Sequence, residues 1–214
     1  TGVVYSDATL AMIAETCQSD DLWLISDEVY DTQVWEGRHL SPRALPGMAE
    51  RTLVVGSMSK SHAMTGSRCG WIVGPEAVIA NLITLATHTT YGVPGYIQDA
   101  SRFALTQGAA FEAEIAAPFQ SRRTLAKQVL ARQNTVGLVP AQGAMYLMLD
   151  IRATGMTGEA FAYDLLDAHH IAVMPGESFG TSAAGHIRVA MTIEDTAFEN
   201  ALVTLCAHAE KRAA

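Results

Sequence analysis

Apolar positions along the chain follow two periods. Leu10, Ile13, Ala14 and Cys17 recur at helical spacing, and Asp7 ahead of them suits an N-cap, so a helix of about ten residues is predicted there. Residues 22–25 form a short apolar run that stops at Ser26-Asp27-Glu28, the pattern of a strand buried on both faces. Residues 52–55 repeat it and end at Gly56-Ser57-Met58-Ser59-Lys60. Residues 70–73 predict a third strand, closed by Gly74-Pro75. Pro75 suits the first turn of a helix, with Val78, Leu82, Ile83 and Leu85 as its buried stripe. Another helix is expected over 94–106. Residues 109–132 read as one long helical stretch that Pro118 should kink or divide, and so as a connector between two lobes. After Gln133, short strands at 136–139, 144–150, 171–174 and 186–190 mix with helices over 157–169 and 194–211. The expected architecture is α/β, with one domain over 1–118 and a small α+β domain over 119–214.

Composition narrows the classes. Of 214 residues, 49% are apolar and 17% charged, which excludes a disordered chain. No run approaches the roughly 18–20 apolar residues of a membrane span. A net charge of −8 argues against nucleic acid and anionic membrane as partners. Cys17, Cys69 and Cys206 are too few and too scattered for a zinc site or a disulfide framework, so no metal and a cytoplasmic location are expected. No signal peptide is visible. The chain opens Thr-Gly rather than Met, and more sequence is expected upstream of it.

The chemistry gathers where two strands end. In an open α/β sheet ligands bind outside the carboxyl ends of the strands, so Asp27 and Lys60 can face one pocket if their strands are parallel neighbours. The other lysines, Lys127 and Lys211, lie in a polar helical stretch and in the tail. Lys60 instead lies among Ser57, Ser59 and Ser61 in a glycine-bounded loop, where a partly desolvated amine can attack an aldehyde. Standing alone it would read as a surface lysine in a turn. Arg68, after Gly66-Ser67, can join Ser57 and Ser59 around a phosphate. Asp27 suits a cationic ring nitrogen or, more simply, the cap of the following turn, and Tyr30 stands three residues on. The histidines at 62, 88, 169, 170 and 186 have no ligand spacing and read as surface or strand-end residues. Trp23 and Trp71 read as core.

Together these segments resemble the class I/II aminotransferases of fold type I. Ile25-Ser26-Asp27-Glu28-Val29-Tyr30 resembles the family's strand-end aspartate and tyrosine segment, and Ser57-Met58-Ser59-Lys60 its lysine motif. Gly66-Ser67-Arg68-Cys69-Gly70-Trp71 is similar to the segment with the phosphate arginine. Gly143-Ala144-Met145-Tyr146, Pro175-Gly176-Glu177-Ser178-Phe179-Gly180 and His186-Ile187-Arg188-Val189 are similar to three segments of the small domain. Thr1-Gly2 matches the end of an asparagine-containing family loop.

The resemblance implies a three-layer α/β/α large domain, present in part over 1–118, followed by the small α+β domain. It implies pyridoxal 5′-phosphate (PLP) as cofactor and amino-group transfer between an α-amino acid and a 2-oxo acid through a lysine Schiff base. By that likeness Lys60, Asp27 and Tyr30 are catalytic, and Ser57, Ser59 and Arg68 bind the cofactor with them. Arg188 takes the substrate α-carboxylate, and the enzyme is a homodimer. The family's N-terminal segment, its Gly-rich phosphate loop and the aromatic that stacks on the cofactor have no counterpart here, so a C-terminal fragment that binds PLP poorly is expected. Two rival functions are a PLP-dependent carbon–sulfur β-lyase on the same fold and the aminotransferase-like effector domain of a transcription regulator.

Overall fold

The computed structural model describes residues 1–213 and divides into two compact units, Val4–Ala116 and the residues from Ala117 onward together with Thr1–Val3. In the first unit, α1 (Asp7–Ser19) starts at Ser6, whose hydroxyl accepts the Thr9 N–H at 3.1 Å. Asp7, expected as the cap, is instead the first helical residue, where its charge complements the helix dipole. Leu10, Ala14 and Cys17 form the buried stripe of α1. Ala14 and Cys17 pack with Met48, and Ile13, Leu24 and Leu45 close around them.

Leu24 belongs to β1 (Leu24–Asp27), which pairs in parallel with β2 (Thr52–Ser57). β3 (Gly70–Val73) pairs antiparallel with the other edge of β2. The strand at β1 was expected to be buried on both faces. Only the Leu24 and Ser26 face is covered, and Ile25 on the other face is 69% exposed. The same holds in part for α3 (Glu76–Thr89): none of its residues is buried, and of the expected stripe Val78 and Leu82 are half-buried while Ile83 and Leu85 are exposed. Trp23 and Trp71, read as core, are exposed as well. An apolar period identifies a face that favours burial, and packing within this unit covers only some of those faces. α4 (Gly95–Leu105) precedes α5 (Gly108–Leu130), which runs undivided through Pro118. The change of unit falls after Ala116, within that helix.

The second unit is an antiparallel sheet in the order β4 (Gly137–Leu138), β5 (Tyr146–Asp150), β7 (His186–Ala190), β6 (Met174–Pro175). Strand alternation sends Leu147, Leu149 and Ile187 into a core shared with Phe161 and Leu165 of α6 (Gly158–His169) and Phe198, Leu202 and Leu205 of α7 (Asp195–Ala213). Each large apolar side chain so buried stabilises the unit by about 1.5–3 kcal/mol. Asp164 of α6 accepts from both His208 and Arg212 of α7 and ties the two helices together. Among the described residues no helix is long and apolar enough to cross a membrane, and no cluster of side chains could hold a metal ion.

Candidate active site

Because β1 and β2 are parallel neighbours, both carboxyl ends lie at one end of the sheet. The register pairs Asp27 with Val55, so Asp27, Val55 and Ser57 share a face by the two-residue period of a strand. Asp27 is exposed, and its Oδ1 accepts the Val29 N–H at 3.2 Å. The turn-capping role weighed for Asp27 is therefore made, and it uses one carboxylate oxygen.

Ser57 ends β2 and caps the short α2 (Met58–Ser61) by accepting the Ser59 N–H at 3.0 Å. Its hydroxyl lies 2.8 Å from the Ser59 hydroxyl and 3.2 Å from the Cys69 carbonyl. Lys60, half-buried in α2, has no ion-pair or hydrogen-bond partner for its amine among the described residues. Two contacts hold the backbone of its segment. The buried Gln33 side chain donates to the Lys60 carbonyl at 3.3 Å, which ties the turn after β1 to the lysine. The Met58 N–H donates to Cys69 at 3.1 Å and ties α2 to the loop that carries Arg68. Arg68 is exposed, sits in the left-handed region at φ 52°, and donates to the Thr65 carbonyl at 2.9 Å. Tyr30 is half-buried in the turn between Asp27 and Gln33.

His62, expected at the surface, is buried. Its Nδ1 lies 2.8 Å from the Ser61 hydroxyl and its Nε2 3.7 Å from Glu112. A cavity of about 120 Å³ lies there, lined by His62, Ser57 and Trp71 and by the acids Glu28, Asp31 and Glu112. Three carboxylates make it a poor host for a phosphate, and Asp27, Lys60 and Arg68 are not in its wall.

Arg188 lies in the second unit, on the sheet face opposite the core. It pairs with Met148 across β5 and with Met174 across β6. Its guanidinium carbon stands 4.1 Å from the centre of the Tyr146 ring and 4.3 Å from that of Phe179. Among the described residues it donates no hydrogen bond and has no ion-pair partner. The Thr1 amine, in the same unit, has its pKa lowered by burial and further by the charge of Arg188. Gln33, Tyr146 and Phe179 carried no role in the sequence reading. Gln33 has no motif to mark it, and the two rings meet Arg188 only through strand register and a turn.

A family model for aminotransferase class I and II matches residues 1–205. The chain belongs to this family. Family members are PLP-dependent. The chain is 46% identical over 204 residues to arginine–pyruvate transaminase of Pseudomonas aeruginosa, covering 94% of this chain and 51% of the relative. It is 34% identical over 204 residues to an aspartate aminotransferase of Pyrococcus abyssi, covering 93% and 51%. Among solved structures, the aromatic aminotransferase from Pyrococcus horikoshii superposes with a TM-score of 0.93 at 31% identity, over 99% of this chain and 57% of that one. The chain spans about half the length of the curated relatives it matches.

Proposed function

We propose that this chain carries the lysine-bearing and carboxylate-reading parts of a PLP-dependent aminotransferase acting on an α-amino acid and a 2-oxo acid. One observation carries the reading: a half-buried, unpaired Lys60 amine and an exposed Asp27 carboxylate at the same end of two parallel neighbouring strands. PLP has an aldehyde, a ring nitrogen and a phosphate. The side chains fit that list: Lys60 for the aldehyde, Asp27 for the nitrogen, and Arg68 with the Ser57 and Ser59 hydroxyls for the phosphate. When bound, the cofactor supplies an electron sink for the substrate α-carbon.

The protein groups do the rest. The Lys60 amine would hold the cofactor's aldehyde, and the free amine would move the substrate α-proton. The free oxygen of Asp27 would accept from the ring nitrogen, and the Tyr30 hydroxyl would donate to the ring oxygen. Arg68 and the serines would hold the phosphate end and so orient the cofactor toward Lys60. Arg188 takes the α-carboxylate through paired N–H donors. In keeping with the family, the reading includes a homodimer in the cytoplasm, which size-exclusion chromatography and cell fractionation test.

Incubation with PLP, borohydride reduction and peptide mapping provide the test of the site. The label is expected on Lys60 and absent from Lys127, Lys211 and the Lys60→Ala protein; a label on either other lysine overturns the assignment. The 46% identity to an arginine–pyruvate transaminase makes arginine with pyruvate the first substrate pair to assay. Alanine formation is the expected product. Release of ammonia and pyruvate from a sulfur amino acid, without any oxo-acid requirement, would instead mark a lyase.

A further inference from the structure

Arg188 combines three features. It is half-buried, its guanidinium has no acidic partner among the described residues, and it lies over the faces of two aromatic rings. Cation–π contact holds the charge without using its N–H groups, so all five donors stay available at the edge of the plane. Each ring is delivered by a distinct device. Tyr146 stands diagonal to Arg188 across the β5–β7 pair, because Met148 is the residue directly opposite. Phe179 ends the 3-10 turn Gly176–Phe179 that follows β6. That turn is seated tightly against the start of β7: a methyl on Gly176 would come within 2.1 Å of the Ala183 carbonyl and 2.7 Å of the His186 carbonyl. The Phe179 ring is 46% exposed. An exposed ring adds little to a core, and its evident work is on the arginine beneath it.

We propose that Phe179 and Tyr146 are positioning residues: their rings hold the Arg188 guanidinium in the orientation that takes a substrate carboxylate edge-on. This rests on the aminotransferase reading for the identity of the anion. The role applies to both half-reactions, since amino acid and oxo acid present the same carboxylate.

The test uses the purified protein, with pyruvate as the carboxylate probe and phenylglyoxal, an arginine reagent, mapped to Arg188 by mass spectrometry. In Phe179→Leu the bulk stays and the ring goes. The pyruvate concentration that half-protects Arg188 is expected to rise about fivefold, the scale of one partly exposed cation–π contact. Phe179→Tyr should return it to the starting value, and Tyr146→Leu should repeat the loss. Circular dichroism of each variant should match the parent, which a merely structural role at these positions would not predict alongside the shift. In steady-state assays KM for both substrates should rise by the same factor, with kcat within about twofold. Unchanged protection in a folded Phe179→Leu, or a shift that Tyr does not reverse, overturns the proposal. The Lys60 labelling experiment reports separately on the aminotransferase reading. If Lys60 takes no label while protection still shifts, the clamp stands as an anion site and the assigned reaction falls.

Discussion

Gly56 is where the strand that carries Ser57 meets an indole. It pairs with Trp71 across β2 and β3, and a methyl there would stand 2.3 Å from Nε1, 2.4 Å from Cε2 and 2.7 Å from Cζ2 of that ring. All three distances are inside van der Waals contact, and the three nearest atoms all belong to one side chain. Gly56→Ala therefore forces the ring away, an overpacking cost of about 1–3 kcal/mol. The lower half of that range applies, since Trp71 is 41% exposed and has room to swing. Against this stands a gain of about 0.5–1 kcal/mol, because alanine loses less backbone entropy than glycine on entering a strand. The net expectation is a loss of about 0.5–1 kcal/mol. In Trp71→Ala the obstacle is gone and only the gain remains, so the same Gly56→Ala change should stabilise by about 0.5–1 kcal/mol. The sign reversal is the decisive feature, and a double-mutant cycle reads it as a coupling of about 1–2 kcal/mol. Urea unfolding followed by far-UV circular dichroism is the assay, since tryptophan fluorescence would change with the mutation itself. The same sign in both backgrounds would refute the argument.

Asp27→Asn should leave the unfolding free energy within about 0.5 kcal/mol of the parent, as expected for an exposed position, while reducing amino transfer strongly; unchanged turnover would remove Asp27 from the ring-nitrogen role. Leu205→Ala, at 2% exposure in the second core, should cost about 2–5 kcal/mol by urea unfolding. Native protein at pH 8 should react with a disulfide reagent at the half-buried Cys69, and at all three thiols once unfolded; burial pushes the Cys206 thiol up to about 11. The side-chain hydrogen bond from Arg152 pulls the Asp150 carboxyl down to about 2. The stability it contributes is thus complete above about pH 4 and lost as pH falls through about 2. An NMR titration of Arg152→Ala should find Asp150 back near its ordinary value.

Local chemistry was legible in the sequence wherever a residue type is tied to a strand end. Ser57, Lys60 and Arg68 stood out because the glycines and serines around them break the apolar pattern, and the parallel pairing of β1 with β2 fulfils the geometric condition read from Asp27 and Lys60. Cover was not legible. Ile83 has the same helical period as Leu10 and Ala14, and Ile25 sits in a run read as a buried strand, yet only Leu10 and Ala14 are buried. Caps shifted by one place because Ser6 and Asp7 both suit the role, and only backbone geometry decides between them. His62 was missed for a related reason. A histidine without ligand spacing reads as a surface residue until a neighbour such as Ser61 gives its ring a buried partner.

Many of the arginines in this chain are paired with acids. Arg38, Arg51, Arg122, Arg152 and Arg212 each meet an aspartate within 3.1 Å. Among the described residues Arg102 and Arg132 meet no acid, but both are exposed and water solvates them, so their lack of an acid carries no information. Arg188 is different because part of its hydration has been replaced by two rings, which stabilise the charge while leaving its hydrogen-bond donors unused. Arg43 and Arg123 are desolvated too, but their guanidinium groups donate to backbone carbonyls; a guanidinium desolvated with neither an acid nor a carbonyl partner loses stability unless a ligand supplies the acceptor. The same logic applies to the half-buried Lys60 amine. Supplying internal partners should therefore compete with function. A carboxylate introduced beside Arg188, as in Met174→Glu directly across β6, is expected to raise stability and to raise KM for both substrates together. If Met174→Glu stabilised the protein and left both KM values unchanged, Arg188 would not be the carboxylate reader.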